Sequence, residues 1–352
     1  MSDLSKVNLS ESLAAILHDY RQGEIAAPTS EHINNWIGQF PQNVQEPMLK
    51  ELNHVFENTY LSKNWVLNYI SGLVKNDKFT AANPAIFWKN TNILQIQRGG
   101  SSQNDLLFEL NQLLLDNFGF GIEESGSDGG DYIYLDDFIF SGRRLITDFL
   151  PWIKGEAPLS AVVKIIHIGW HMGGQYYAKR ELEKAAQAAK KQLQFQWWRA
   201  LEFENRLSKI KESDVLWLRS LPEEQMARDY EKILIESGHP PIYRSNDNTS
   251  RFFSSEEGRN LVEQQFLLAG LRIRGFCQNP SEIMRPLGYY NLKTFGFGTM
   301  VVTYRNCPNN CPLALWWGDP KASVDHPFSK WYPLLPRKTY EENITYFDIS
   351  SY

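Results

Sequence analysis

Residues 132–145 read Tyr-Ile-Tyr-Leu-Asp-Asp-Phe-Ile-Phe-Ser-Gly-Arg-Arg-Leu. The apolar residues predict a buried strand over 131–136 that leads into two adjacent carboxylates, Asp136 and Asp137. A short loop then reaches Ser141-Gly142 and the start of a predicted helix. Carboxylates accept hydrogen bonds from ribose hydroxyls, and the backbone N–H groups of such a loop and helix start can hold a phosphate. The run therefore predicts a site for a phosphorylated sugar. The alternative is a solvated Asp-Asp turn, with Ser141 as the helix N-cap.

A second segment, residues 93–110, has the same strand–loop–helix order. It reads Ile-Leu-Gln-Ile-Gln-Arg-Gly-Gly-Ser-Ser-Gln-Asn-Asp-Leu-Leu-Phe-Glu-Leu. The two glycines allow the backbone to approach an anion closely, and the guanidinium of Arg98 has a forked geometry suited to phosphate oxygens. Alone, Arg-Gly-Gly is typical of a turn. Because this Arg-Gly-Gly segment lies one β-α unit before the acidic loop, it predicts a second anion-binding loop.

Together the two segments resemble the loops of type I phosphoribosyltransferases, over about residues 90–175. Asp136-Asp137, three mostly apolar residues and Ser141-Gly142 fall in register on the phosphoribosyl-pyrophosphate (PRPP) loop of that family. The segment Arg98-Gly99-Gly100 is similar to its pyrophosphate loop. In that family, PRPP with bound magnesium loses pyrophosphate through an oxocarbenium-like state, and a nitrogen nucleophile takes C1 of the ribose.

The resemblance implies roles for individual residues. Asp136 and Asp137 are expected to be catalytic and to hold the ribose 2′- and 3′-hydroxyls. Mg²⁺ is expected to bridge pyrophosphate and ribose, with no metal ligand assigned to the protein. His171 is expected to act as a base or a phosphate contact. The full set of expected ligand-binding residues is Arg98, Gly99, Gly100, Ser101, Phe138, Ile139, Phe140, Ser141, Gly142, Arg143, Arg144 and His171.

Three departures from the family pattern bear on the chemistry. Phe140 stands where several purine-type members carry an acid that serves as a base. Arg143-Arg144 replaces the usual small or hydroxyl residues after Gly142. Only about 20 residues separate the predicted helix 102–117 from Asp136, so the long flexible catalytic loop of the family is expected to be absent or supplied elsewhere.

The sequence predicts an α/β fold with a mainly parallel, phosphoribosyltransferase-like sheet. The predicted strands are 92–97, 131–136 and 161–168, and the predicted helices are 102–117, 142–153 and 174–192. Three regions are expected: a helical N-terminal subdomain (1–80), the α/β core (81–206), and C-terminal α+β additions with a helical hood or lid (207–352). Residues 297–304 are also predicted to form a strand.

Composition narrows the class of protein. The net charge of −5 argues against a protein whose whole surface binds nucleic acid. The sequence contains no run of about 18 apolar residues, so we expect no membrane-spanning helix. The N-terminus lacks signal-peptide features, and three cysteines make a disulfide framework improbable, so the cytoplasm is the expected compartment. Cys307 and Cys311 are expected to lie in a structural turn. A redox pair and half of a zinc site are the alternatives.

The turn at 305–312, followed by Trp316-Trp317 and residues 333–337, resembles phosphoribosyltransferase-like proteins of bacterial anti-phage systems, including some retron loci. That resemblance implies a protein or ribonucleoprotein partner in a defence complex. The primary hypothesis is a phosphoribosyltransferase-like protein that binds PRPP or a related nucleotide. The second hypothesis is a non-catalytic nucleotide-sensing or interaction module that kept the anion loops and lost the lid. The third is an effector in a defence complex, held by a nucleic-acid-bearing partner. The sequence leaves open whether turnover occurs.

Overall fold

A computed structural model describes residues 2–245 and 251–338, with side chains from Lys6 onward. The chain forms two compact units. Within the described residues, the first contains 2–60, 220–242 and 253–338, and the second contains 61–219, 243–245 and 251–252. No helix in the described part of the chain is long and apolar enough to cross a membrane.

The elements follow one another in the order of the chain. The helices are α1 (Ser2–Ile16), α2 (Ser30–Ile37), α3 (Gln42–Thr59), α4 (Lys63–Val74), α5 (Asp77–Thr80), α6 (Pro84–Asn90), α7 (Ser102–Phe118), α8 (Arg143–Lys154), α9 (Met172–Ala188), α10 (Gln225–Glu236), α11 (Glu256–Gly275) and α12 (Leu313–Trp316). The strands are β1 (Tyr60–Leu61), β2 (Asn92–Ile93), β3 (Tyr132–Ile139), β4 (Ser160–His171), β5 (Gln192–Trp198), β6 (Leu201–Phe203) and β7 (Val302–Thr303). Short 3₁₀ helices occur at Ile122–Glu124, Leu207–Glu212 and Pro327–Lys330.

A parallel sheet forms the centre of the second unit. Its strands are ordered β2-β3-β4-β5, and β6 pairs with the last part of β4. All of these pairings are parallel, and helices separate β2, β3, β4 and β5 along the chain. The predicted α/β fold with a mainly parallel sheet is therefore confirmed.

The acidic pair lies inside a strand and not at its end. The sequence predicts a strand over 131–136, whereas β3 continues to Ile139. It continues because β4 extends to His171 and offers partners to the residues beyond the acids: Phe138 pairs with Gly169, and Ile139 pairs with Trp170. The predicted end of the strand at Asp136 is therefore wrong.

The first sheet strand is shorter than predicted. A strand was expected over 92–97, but β2 contains only Asn92 and Ile93. Leu94 still donates its N–H to Ile133 O at 2.8 Å, and beyond it the chain turns toward the loop that precedes α7. The predicted helices 102–117, 142–153 and 174–192 correspond to α7, α8 and α9.

Aromatic and aliphatic side chains of α8 and α9 cover one face of the sheet. Phe149 of α8 packs on Tyr134 of β3, with ring centroids 5.0 Å apart, and both side chains are fully buried. Leu182 of α9 belongs to the same apolar cluster. Burial of side chains of this size contributes about 1.5–3 kcal/mol each. This packing holds α8 and α9 against the sheet.

Glycines allow the loop before α8 to approach α9 closely. An ideal Cβ on Gly142, whose φ is +78°, would lie 2.4 Å from Gly174 O. A Cβ on Gly174 would lie 1.9 Å from Phe140 O. The loop after β3 therefore lies directly against the first turn of α9, with no space for a side chain on either glycine.

The first unit is mainly helical. Trp36 of α2 is fully buried and donates its indole N–H to Ala314 O at 2.8 Å. Arg259 and Glu263 of α11 form a fully buried ion pair at 2.8 Å. The contact of Trp36 joins segments that are 278 positions apart in the sequence, whereas the ion pair lies within one turn of α11.

The predicted strand 297–304 is limited to Val302–Thr303. The segment is mostly irregular because its N–H groups bond to a local loop and not to a neighbouring strand. Phe297 donates to Gly288 O, and Gly298, with a φ of +75°, donates to Leu287 O. The prediction of a strand over this segment was wrong except at its end.

Cys307 and Cys311 are both fully buried in the first unit. The N–H of Cys307 donates to the hydroxyl of Tyr20, and the N–H of Cys311 donates to Pro308 O at 3.1 Å. Among the described residues, no group of three or more His, Cys, Asp and Glu side chains is arranged to hold a metal ion. The geometry is that of the expected structural turn.

Gly174→Ala should destabilise the protein, because its methyl group would overlap the carbonyl oxygen of Phe140 and force the backbone to shift. Overpacking of this kind costs about 1–3 kcal/mol in the free energy of unfolding. Gly72→Ala in α4 is the matched control, since a Cβ there meets nothing within 4 Å. Urea denaturation of both variants measures the difference. Equal stability of the two variants would show that the loop and α9 are not in close contact.

Candidate functional site

The carboxyl group of Asp136 is buried and surrounded by donors. Only 4% of the residue is exposed. Its Oδ1 accepts the N–H of Asp137 at 2.9 Å, and its Oδ2 accepts from Gln97 Nε2 and from the Tyr134 hydroxyl, each at 3.1 Å. Burial raises the pKa of Asp136, and hydrogen bonds from Ser102, Asp137 and Tyr134 oppose that rise. Any ligand hydroxyl that bonds to Asp136 must therefore replace an internal donor.

Asp137 is more accessible than Asp136. The residue is partly exposed, and its Oδ1 accepts the N–H of Phe138 at 2.6 Å. His167 of β4 stands next to Asp136 in the sheet register. Burial lowers the pKa of His167 to about 3, and the charge of Asp137 opposes that change. Asp137 is thus the acid of the pair that faces solvent.

The predicted pyrophosphate loop is held to the acidic strand by its own residues. The backbone N–H of Gln97 donates to the side-chain oxygen of Gln103, and the N–H of Gln103 donates to the side-chain oxygen of Gln97, each at 3.1 Å. This reciprocal pair fixes the turn that enters α7. The N–H of Arg98 donates to Asp148 Oδ1 at 3.0 Å. Gly100 has a φ of +86°, a conformation that favours glycine. Ser101 is the residue before α7, and its hydroxyl donates to Asp105 Oδ2 in the first turn of that helix at 3.3 Å.

Arg144 joins the two predicted loops. It lies in the first turn of α8, is exposed, and donates from Nη1 to Gly99 O. An ideal Cβ on Gly100 would lie 3.1 Å from the same Nη1 atom. Arg144 and Gly99 lie 45 positions apart in the sequence, in two different predicted loops. The structure brings them into one site at the carboxyl edge of the sheet, where ligands bind in open α/β sheets.

The start of α8 is suited to an anion. Gly142 is its N-cap, and no side chain caps its first N–H groups. Its first turn contains Arg143 and Arg144 but no acid, although a helix N-terminus normally favours negative charge. A phosphate here would meet free backbone N–H groups and two guanidinium groups. Ser141 and Phe140, which precede Gly142, are both partly exposed.

Phe138, Ile139 and His171 lie beneath this surface. Phe138 and Ile139 are strand residues with 8% and 3% exposure. His171 is fully buried, with its ring centroid 5.6 Å from Phe138, 5.7 Å from Phe140 and 5.5 Å from Phe203. Burial lowers the pKa of His171 to about 3, so its imidazole is neutral at pH 7 and offers no charge to a phosphate. Its expected role in ligand binding stays a prediction.

Sequence reasoning missed four residues of this site: Gln97, Ser102, Tyr134 and Asp148. One signal was available for Tyr134, since residues two apart on a strand share a face, and Tyr134 stands two before Asp136. Another was available for Asp148, which follows Arg144 by one helical turn. The partners of Gln97 and Ser102 depend on the path of the loop and carry no local signal.

A separate cleft of about 810 Å³ lies at the opposite edge of the sheet. Asp131, Ser160 and Gln192, at the amino ends of β3, β4 and β5, contribute to its lining. None of the residues expected to bind ligand lines it. The cleft is therefore distinct from the site formed by the two loops.

Residues 33–337, which make up most of the chain, match the family model described as PRTase-CE. The match includes both predicted anion loops and the sheet between them. It confirms the expected phosphoribosyltransferase-like family. No curated protein and no solved structure matches the chain.

The two buried histidines predict how stability depends on pH. Because burial lowers the pKa of His167 and of His171 to about 3, the unfolded chain binds more protons than the folded chain below the ordinary histidine pKa of about 6.5. Stability should therefore fall as the pH falls from about 6.5 toward 3. Each histidine should increase the equilibrium constant for unfolding by up to roughly tenfold for each unit that the pH falls.

Urea denaturation at pH 7 and pH 5 measures this effect. We expect the variants His167→Asn and His171→Asn each to reduce the difference in unfolding free energy between the two pH values. His18→Asn is the matched control, because His18 is exposed. An unchanged pH dependence in both buried-site variants would contradict the assignment of neutral, buried imidazoles.

Proposed function

The chain belongs to the PRTase-CE family, a phosphoribosyltransferase-like family, and on that premise we propose that it binds PRPP or a related nucleotide where its two loops meet. One observation carries the proposal: the predicted pyrophosphate loop, with Gln97 before it, is joined directly to the acidic strand β3 and to α8. Gln97 bonds to Asp136, Arg98 bonds to Asp148, and Arg144 bonds to Gly99. A single ligand can therefore contact both loops without a large movement of either.

The ligand has three parts to place. The 5′-phosphate would lie at the start of α8, on the N–H groups after Ser141 and Gly142, with Arg143 beside it. The ribose hydroxyls would bond to Asp137, which is partly exposed, and to Asp136 in exchange for an internal donor. Hydrogen bonds to an ionised carboxylate are among the strong ones, which suits a sugar diol.

The pyrophosphate would lie over the loop that begins at Arg98. Arg98 and Arg144 are both exposed there and supply positive charge. Gly99 and Gly100 leave the backbone open to close approach, and Ser101 ends the loop. These charges favour a ligand with phosphate at both ends over one with phosphate at the 5′ end alone.

Mg²⁺ is part of the proposal as a companion of the ligand. Magnesium commonly binds through substrate phosphates and retained waters, with few protein ligands. That mode fits a site where no group of three or more His, Cys, Asp and Glu side chains is gathered among the described residues. When bound, the ion would neutralise charge on the pyrophosphate.

Catalysis by this site would depend on positioning and charge stabilisation. The arginine-rich loop would stabilise a departing pyrophosphate, and the acids would hold the ribose in place. Phe140 has no titratable group, so the position that carries a base in several purine-type relatives cannot accept a proton here. An acceptor that needs such a base is therefore a poor candidate.

The alternative function is a nucleotide-sensing or interaction module without turnover. The connection between α7 and β3 favours it, because residues 119–131 contain only a short 3₁₀ helix and no strand pair that could cover the ligand. Both functions require the same binding site. Release of pyrophosphate from PRPP in the presence of Mg²⁺ and candidate acceptors would distinguish an enzyme from a sensor.

The cellular setting is also proposed. A role in an anti-phage complex, with a protein or ribonucleoprotein partner, rests on the resemblance of residues 305–317 and 333–337 to proteins of such systems. Placement in the cytoplasm is supported by three cysteines that are free thiols. Affinity purification of the tagged chain from its native host would test for the partner.

Asp136→Asn combined with Asp137→Asn should abolish binding of PRPP with Mg²⁺. Loss of hydrogen bonds to a charged group costs about 1.5–3 kcal/mol each, which corresponds to a loss of roughly 10- to 150-fold per acid. Isothermal titration calorimetry measures the affinity. Asp128→Asn, which changes an exposed acid outside the site, is the control and should bind as the unmodified protein does. Unchanged binding by the double variant would contradict the proposed site.

A further inference from the structure

One phenol oxygen lies between two buried carboxyl groups. The hydroxyl of Tyr134 is 3.1 Å from Asp136 Oδ2 and 3.3 Å from Asp148 Oδ2. Exposure is 0% for Tyr134, 4% for Asp136 and 3% for Asp148. Three oxygen atoms of titratable groups therefore share a space from which water is largely excluded.

The number of protons in this group is constrained. A tyrosine hydroxyl has one hydrogen, whereas an ionised carboxylate has none to donate. Tyr134 can therefore make one full hydrogen bond as a donor, and its second contact becomes a hydrogen bond only if that carboxyl group carries a proton. Two ionised carboxylates so close together in a buried site would also repel each other. The geometry therefore favours one protonated acid in this group.

The other donors indicate which acid is protonated. Asp136 accepts from Gln97 Nε2 and from the N–H of Asp137, and Ser102 also bonds to it, so its ionised form is well stabilised. Asp148 Oδ1 accepts the N–H of Arg98, while its Oδ2 faces Tyr134. The proton therefore belongs on Asp148 Oδ2.

We propose that Asp148 is a positioning residue held in its protonated form: its Oδ2–H donates to Tyr134, Tyr134 donates to ionised Asp136, and Asp148 Oδ1 fixes the N–H of Arg98. This chain links the acid of one loop to the backbone of the other. Its consequence for ligand binding rests on the proposed function, because it assumes that both loops contact the ligand. The assignment of the protons does not depend on the proposed function.

The charges around the pair determine how it responds to pH. Arg144 lowers the pKa of both acids, and Arg98 lowers that of Asp148, but burial is the larger effect and raises both. Both guanidinium groups are exposed and screened by water. Asp137 adds negative charge beside Tyr134, and His167, whose ring is 5.8 Å from that of Tyr134, is neutral at pH 7.

The sign of the effect follows from this arrangement. Below the raised pKa of Asp148 the chain of hydrogen bonds is intact. Above that pKa, Asp148 loses its proton and its hydrogen bond to Tyr134, and the two ionised carboxylates repel each other across the Tyr134 hydroxyl. The hydrogen bond from the N–H of Arg98 to Asp148 Oδ1 persists, so this repulsion displaces the loop at Arg98 together with Asp148, away from Asp136. Affinity for a ligand that spans both loops should therefore fall as the pH rises, by up to roughly tenfold per pH unit above the pKa.

The arrangement of protons can be tested without a ligand. Infrared difference spectra between the unmodified protein and Asp148→Asn should show the carbonyl band of a protonated carboxylic acid that the variant lacks. The band should disappear as the pH is raised. Asp128→Asn is the control and should leave the band unchanged. A band that persists in Asp148→Asn but vanishes in Asp136→Asn would place the proton on Asp136, and the absence of any such band would overturn the inference.

Binding of PRPP with Mg²⁺ across a pH series tests the positioning role. Asp148→Leu should lose affinity at every pH. Asp148→Asn should rescue that loss, because its amide oxygen can accept the N–H of Arg98 and its amide nitrogen can donate to Tyr134. The affinity of Asp148→Asn should also decline less at high pH than that of the unmodified protein. Any effect of the titration of PRPP itself is the same for both proteins.

The outcomes separate this inference from the proposed function. Binding of PRPP with the same pH dependence in the unmodified protein and in Asp148→Asn would overturn the positioning role and leave the proposed function intact. If the unmodified protein binds no PRPP, the proposed function and the positioning role both fail, and the infrared spectra decide the proton assignment on their own. Urea denaturation of each variant confirms that it is folded.

Discussion

The buried carboxyl group of Asp136 is the constraint on which the site depends. A buried ionised acid within a sheet is costly unless donors surround it. Gln97, Tyr134 and the N–H of Asp137 supply those donors. Because Gln97 must reach Asp136, the chain after β2 leaves the sheet early and passes over the acidic strand. The position of the loop at Arg98 and the start of α7 follow from that requirement.

Much of the fold could be predicted because its signals are local. Val162–Ile168 is a run rich in β-branched residues, typical of a buried strand, and it lies within β4. The helix predicted at 102–117 differs from α7 by one residue. The lengths of β2 and β3 were not predictable in the same way. A strand ends where its neighbour stops offering partners, and β4, which sets the end of β3, lies about 30 residues further along the chain.

The site shows the same division. Asp136, Asp137, Arg98 and Gly100 could be proposed as site residues because their residue types and order indicate an anion site. Asp148 had only a weak local signal, its position one helical turn after Arg144, and nothing local shows that its carboxyl group will meet the N–H of Arg98, which is 50 positions away. The occupied oxygens of Asp136 were also unpredictable. The sequence indicates that an acid is present, but only the packing shows which of its oxygens are already bonded.

Arg143 and Arg144 oppose the local preference for negative charge at a helix N-terminus. Two adjacent guanidinium groups there reduce the stability of the helix, and a sequence selected only for folding would place an acid or a capping side chain at that position. Gly142 and Gly174 also forgo side chains so that the loop can lie against α9. The two arginines and the two glycines each reduce local stability. Together they leave helix N–H groups without a side-chain cap beside positive charge. Local preferences are broken in this way mainly where function requires it. An anion at the start of α8 would offset the cost, and that is the physical reason to regard this surface as a binding site.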